Sequence, residues 1–121
     1  MQAAAPIPIL RSFDEALARA FYIEFLGFEV TFEYRHEPDT PLYLGLRLDQ
    51  CVLHLSEHFG DASPGSAVRI EVDDVDAYCA ALNAKQYRHA RPGIQVQPWG
   101  YREMMIDDPF GNRLVFCTES D

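Results

Sequence analysis

The chain has 121 residues and a mass of 13.8 kDa, enough for one domain with a single buried core and too little for a second. Ten Lys and Arg against nineteen Asp and Glu give a formal charge of -9 and a pI near 4.7. Nucleic acid and acidic membrane surfaces are therefore repelled over most of the exterior, and cationic or neutral small molecules are favoured. No apolar run is long enough to cross a bilayer, and the N-terminal Met-Gln-Ala-Ala-Ala-Pro-Ile-Pro lacks the charged and apolar regions of a signal peptide. Cys51, Cys79 and Cys117 are odd in number and widely spaced, which reads as reduced thiols in a cytoplasmic protein.

Residues 7–13 read as an apolar strand. Asp14 is placed to cap a helix whose Ala16, Leu17, Ala20, Phe21, Phe25 and Leu26 recur at helical spacing until Gly27 stops it. Three strands follow at 28–34, 42–48 and 51–56, separated by a Pro-rich loop at 37–41 and a turn at Asp49-Gln50. Gly60, Pro64 and Gly65 mark 58–66 as a joint. Residues 67–72 then repeat the first strand, and Asp73 or Asp74 caps a second helix carrying Val75, Tyr78, Cys79, Ala81 and Leu82. The chain closes on a hairpin of strands 101–107 and 112–117. Between them Asp108-Pro109-Phe110-Gly111-Asn112 supplies the fixed φ and the positive φ of a tight reversal.

The second half copies the element order of the first. Ile7-Pro8-Ile9-Leu10-Arg11 lies over Ala67-Val68-Arg69-Ile70-Glu71, and Val52-Leu53-His54-Leu55-Ser56 over Arg113-Leu114-Val115-Phe116-Cys117. The expectation is a single α+β domain over 1–121 of two paired βαβββ modules, about 6–57 and 66–119. Neither module buries both faces of its own sheet, so the pair forms curved mixed sheets around a trough with helices outside. Function is expected in the trough.

The run Pro98-Trp99-Gly100 before the closing hairpin, with that hairpin and Leu26-Gly27-Phe28, resembles the vicinal-oxygen-chelate superfamily. That group holds glyoxalases, extradiol dioxygenases, fosfomycin-modifying enzymes and bleomycin resistance proteins, and the bleomycin resistance type is the nearest. Metal-dependent members hold a divalent cation with four side chains from equivalent strands. Carried over, those positions fall on Ile7, His54, Ala67 and Val115, and only His54 is a metal donor. Another in-face register brings up Ile9, Arg11, Arg69 and Arg113 and still no ligand set. No metal and no cofactor are therefore expected. His54-Leu55-Ser56-Glu57-His58 matches H-x-x-E-H, but it alternates as a strand into a Gly and Pro loop, so the histidines are not one helical turn apart.

The ligand-binding candidates are Trp99, His54, Arg11, Arg69, Phe32, Tyr43, Phe59 and Glu103. In bleomycin resistance proteins a Trp-Gly at this place stacks on the flat part of the drug, which points to Trp99. Phe32, Tyr34, Tyr43 and Phe59 either line the same groove or belong to the core. His54 is either a core polar residue or a ligand contact. An arginine at the Arg11 position contacts a substrate carboxylate in glutathione-using relatives, and the other reading of Arg11 and Arg69 is an ion pair with Glu71 or Glu103. Glu103, Asp107 and Asp108 are ligand contacts or strand and turn electrostatics, with Asp108 assigned to the turn. The resemblance implies a homodimer with grooves at its interface, sequestering a cationic or planar aromatic, bleomycin-type compound. The alternative is a metal-dependent glyoxalase-like lyase or an extradiol-dioxygenase-like enzyme with displaced ligands. Gln86 departs from the glycine common in relatives.

Overall fold

A computed structural model describes residues 1–120, and the chain divides into two compact units, one ending at Pro64 and the other beginning at Gly65. The first unit runs β1 (Ile9–Arg11), a helix α1 (Glu15–Ala18) continued by a π-helical stretch (Arg19–Phe25), β2 (Glu29–Tyr34), β3 (Tyr43–Leu48) and β4 (Cys51–Ser56). The second runs β5 (Ala67–Glu71), α2 (Val75–Ala84), β6 (Ile94–Val96), β7 (Tyr101–Asp107) and β8 (Arg113–Glu119). Each folds as one βαβββ module with a four-stranded sheet, in the orders β1-β4-β3-β2 and β5-β8-β7-β6. β1 and β5 join their sheets parallel to β4 and β8, and the other pairs are antiparallel. This is the α+β architecture expected from the repeat.

The register matches the sequence overlay residue for residue. Ile9 pairs with His54 in the first sheet, and Arg69, which the overlay places over Ile9, pairs with Val115 in the second. Short polar side chains start both helices. Asp14 Oδ1 accepts from Leu17 N at 2.9 Å, and Asp74, rather than Asp73, accepts from Ala77 N at 3.0 Å.

The first helix departs from the expected hydrogen-bond pattern. Leu26 N donates to Phe21 O, five residues back, at 2.9 Å, and Phe28 N closes on Tyr22 O at 2.8 Å past Gly27 at φ 94°. The buried face is Ala18, Phe21, Tyr22, Phe25 and Leu26, which keeps helical spacing but differs from the expected stripe. Tyr22 is fully buried beside Phe21, Phe25 and Leu26, while Leu17, expected in the apolar stripe, is 45% exposed. The first unit's buried set also holds Leu10, Leu44, Leu46, Leu53 and Leu55, and the second's holds Ile70, Leu82, Met104, Ile106, Leu114 and Phe116. Strand alternation sends these to one face of each sheet and leaves the other face open.

The closing turn is built by Asp108. Its Oδ1 accepts from Phe110 N at 2.9 Å and Asn112 N at 2.8 Å, and its Oδ2 from Asn112 Nδ2 at 2.8 Å, all buried. These bonds assign Asp108 to the turn. Asp108→Ala is expected to lower stability by about 2 kcal/mol, measured by urea unfolding, because two backbone N–H groups lose their acceptor where water is scarce.

Candidate functional site

The open face of the first sheet carries an aromatic cluster. Phe32 from β2, Tyr43 from β3 and His54 from β4 come together because Gly45 pairs with Phe32 on one side and His54 on the other, and Tyr43 lies two residues along β3 on the same face. A bulge between Val30 and Phe32 shifts the β2 register there and sets Phe32 opposite Gly45. A side chain at position 45 would collide with the Phe32 ring and with Thr31 Oγ1, so glycine is what lets the ring settle on the sheet. Phe32 stacks on Tyr43 with centroids 6.0 Å apart and meets His54 edge-on at 5.2 Å. Tyr43 Oη and His54 Nδ1 share a hydrogen bond of 2.8 Å. Burial lowers the pKa of His54 from its ordinary value and so favours the neutral imidazole. Burial, helped by the negative charge of Asp61, raises that of the Tyr43 phenol.

Beside this cluster lies an open cavity of about 650 Å³ lined by Phe32, Tyr34, Tyr43, His58, Phe59 and Asp61. Its far wall is the loop after β4. Arg11 holds that loop: the guanidinium, 6% exposed, donates through Nε and Nη2 to Ala62 O, through Nη1 to Ser56 O at 3.0 Å and through Nη2 to His58 O at 2.8 Å. Ser56 Oγ donates to Asp61 Oδ2 at 2.6 Å and fixes the carboxylate. For Arg11 the sequence suggests a ligand carboxylate or an ion pair with Glu71 or Glu103, and these main-chain acceptors are partners it does not name. The Arg11 donors are directed at main-chain carbonyls, and its work is to shape the loop that presents Phe59 and Asp61.

The second sheet's open face is organised by Glu103. This carboxylate, 2% exposed, accepts from Arg69 Nη2 at 2.6 Å and from Trp99 Nε1 at 3.1 Å, both on Oε2. Burial raises its pKa, but the Arg69 and Trp99 donors outweigh burial and hold it below the ordinary carboxylate value. Arg69 lies 4.9 Å over the Tyr101 ring, whose hydroxyl donates to Glu71 at 3.0 Å. Trp99 sits in a turn in which Gly100 N donates to Gln97 O at 3.1 Å, and its ring is 61% exposed although its N–H is anchored. The ion-pair reading of Arg69 holds, and Glu103 is the anchor of the Trp99 platform. Of the predicted site residues, Phe32, Tyr43, His54 and Phe59 gather in the first unit, and Trp99, Arg69 and Glu103 in the second. His58, Asp61 and Gly45 were not anticipated. Only Gly45 had a signal, as a glycine inside a strand pattern.

The positions that hold a cation in metal-dependent relatives do not fit one. Ile7, Ala67 and Val115 offer no side-chain donor atom, Ile9 and Arg69, in register with His54 and Val115, add none, and the Nδ1 of His54 is engaged by Tyr43. Among the described residues no three His, Cys, Asp or Glu side chains are grouped to bind a metal.

Fold and site together define a small protein of two βαβββ modules whose open sheet faces carry aromatic side chains in place of a metal-ligand set. The chain belongs to the glyoxalase superfamily: a family model described as glyoxalase superfamily protein matches residues 2–121. Among solved structures it resembles TnmS3, an antibiotic binding protein from Streptomyces sp. CB03234. Identity is 25% over 99% of this chain and 100% of that one, with a TM-score of 0.72. The bleomycin resistance determinant encoded on transposon Tn5 matches at 19% identity over 97% and 98% of the two chains, with a TM-score of 0.73. Lactoylglutathione lyase from Agrobacterium tumefaciens matches at 18% over 98% and 95%, with a TM-score of 0.72. The last two share the fold. No functionally curated protein matches the chain.

Proposed function

We propose that the protein binds a planar aromatic or cationic small molecule without chemistry, sequestering it in the manner of a bleomycin resistance protein. The carrying observation is the 650 Å³ cavity walled by Phe32, Tyr34, Tyr43 and Phe59 with Asp61 at its rim. Flat rings gain area and quadrupole contacts there, and the carboxylate favours positive charge. The overall charge of -9 raises the local concentration of cations. Similarity to an antibiotic binding protein supports the same reading, and the absent donor set weighs against the lyase and dioxygenase alternatives.

We also read the protein as a cytoplasmic homodimer. The open faces expose Ile9, Phe32 and Tyr34 in one unit and Met105 in the other, with Trp99 exposed in the turn before β7, apolar side chains that a symmetric partner would cover. No helix among the described residues is long and apolar enough to cross a membrane. Light scattering at micromolar concentration is expected to give twice the chain mass.

The test is titration with bleomycin, followed by calorimetry and by Trp99 fluorescence. Binding is expected to release heat and to persist in chelator, with Phe32→Ala weakening it about tenfold through loss of one stacking surface of the cavity, while quenching of Trp99 would report a ligand on the second unit's platform. No heat and no quenching with bleomycin and a panel of flat cations would reject the proposal. Stoichiometric metal in the purified protein, lost with activity on chelation, would favour the enzyme.

A further inference from the structure

The hydrogen bond between Tyr43 and His54 has a direction, and the direction decides what the aromatic face recognises. A neutral imidazole has one donor and one acceptor nitrogen. With the proton on Nδ1, His54 would donate to the phenol oxygen and the Tyr43 O–H would need another acceptor. The hydroxyl makes no other hydrogen bond among the described residues. With the proton on Nε2, Tyr43 donates to a bare Nδ1, and the bond runs from the more acidic phenol to the more basic nitrogen. That arrangement satisfies both groups and is the stronger bond. The shifts support it, since burial favours the neutral imidazole and the protonated phenol.

The tautomer places an N–H on the far side of the ring from Tyr43. Nε2 has no hydrogen-bond partner among the described residues and is not among the sealed polar atoms, so it stays open to solvent. The groups around it offer no substitute. Phe32 meets the imidazole edge-on at 5.2 Å, the Tyr43 ring lies at 5.2 Å, and the register neighbours Ile9 and Gly45 carry no polar side-chain atom. A flat ligand laid on Phe32 and Tyr43 displaces the water that serves this N–H. Unless the ligand returns an acceptor, a donor is left dry at a cost comparable to what the stacking contributes.

We propose that Tyr43 locks His54 with its proton on Nε2, and that this N–H selects flat aromatic ligands bearing a hydrogen-bond-accepting oxygen at the ring edge, an aryl carbonyl being the simplest case. The proposal rests on the binding reading above and narrows its ligand class. Binding and orientation are separable by experiment. Long-range proton–nitrogen NMR on the labelled full-length protein, with His54 assigned by its loss in His54→Gln, reads the tautomer without any ligand. Nε2 is expected to be pyrrole-like and Nδ1 pyridine-like, with Tyr43→Phe returning the mixture of a free imidazole. The reverse pattern overturns the lock.

The ligand half is tested by calorimetry with acetylnaphthalene and isopropenylnaphthalene, which share a shape and differ in the carbonyl oxygen. Wild type is expected to prefer the ketone about tenfold, the worth of one hydrogen bond made against one left unmade. His54→Phe keeps an aromatic surface and is expected to erase the preference. Equal affinity in wild type, or a preference for naphthylmethylamine over the ketone, overturns the selection. Failure of all three compounds to bind, with the tautomer as expected, would overturn the ligand half together with the binding reading and leave the lock standing.

Discussion

Arg11→Met is expected to unfold at markedly lower urea than the wild type, with a stability loss of about 3 kcal/mol and an unchanged dependence on denaturant. The arithmetic follows from what the guanidinium does. It donates to the carbonyls of Ser56, His58 and Ala62 from a site 6% exposed. A hydrogen bond from a charged donor contributes roughly 1.5 to 3 kcal/mol, and each buried carbonyl left unserved costs up to a few more. Against this stands the desolvation of the charge itself, which methionine avoids, so the net lies well below the sum. Arg11→Lys is not expected to rescue it, since a single ammonium cannot reach three carbonyls from one position. The effect is local as well as global. Without the clamp, the loop carrying Phe59 becomes a cleavage site for a protease specific for aromatic residues, and affinity for the ligand falls with it. A loss under 1 kcal/mol with no new cleavage would show that the loop holds its own shape and that Arg11 is incidental to it.

That clamp also marks where sequence reading stops. The helix caps at Asp14 and Asp74, the stop at Gly27 and the turn at 108–112 were legible because each depends on one residue and its immediate neighbours. The internal overlay placed Arg69 and Val115 in register for the same reason that it placed Ile9 and His54, a strand period of two that allows no half-step. Arg11 could be seen to point inward, but a main-chain carbonyl has no letter in the sequence, so carboxylates were the only partners in view. The π-helical turn was hidden by the same logic. Its five-residue hydrogen bond has no letter either, whereas the buried stripe of Ala18, Phe21, Tyr22, Phe25 and Leu26 keeps ordinary helical spacing and needed only Tyr22 to be counted in place of Leu17. Trp99 and Glu103 are four apart, yet their contact depends on the turn at Gly100 rather than on a helix.

Gly45→Ala is expected to separate stability from binding, lowering ligand affinity about fiftyfold while changing stability by about 1 kcal/mol or less. Two effects oppose each other in the fold. Alanine in a strand interior is favoured over glycine by roughly 0.5 to 1 kcal/mol through lost freedom of the unfolded chain. The new methyl, however, occupies the space of the Phe32 ring and of Thr31 Oγ1. Phe32 is 43% exposed on an edge strand, so its ring can swing into water and relieve the collision. It then forfeits its contacts with Tyr43 and His54, each worth about 0.5 to 1.5 kcal/mol. The fold therefore roughly breaks even. Binding has no compensating gain, because the ligand loses the ring that forms one wall of its cavity and meets a methyl where it should lie flat. Burying an aromatic wall against a ligand is worth on the order of 2 kcal/mol, which sets the fiftyfold estimate. Urea unfolding and calorimetry on the same preparation decide it. Unimpaired binding in a folded Gly45→Ala protein would move the ligand off the first sheet, and loss of the fold would show that Phe32 is held by more than the open face.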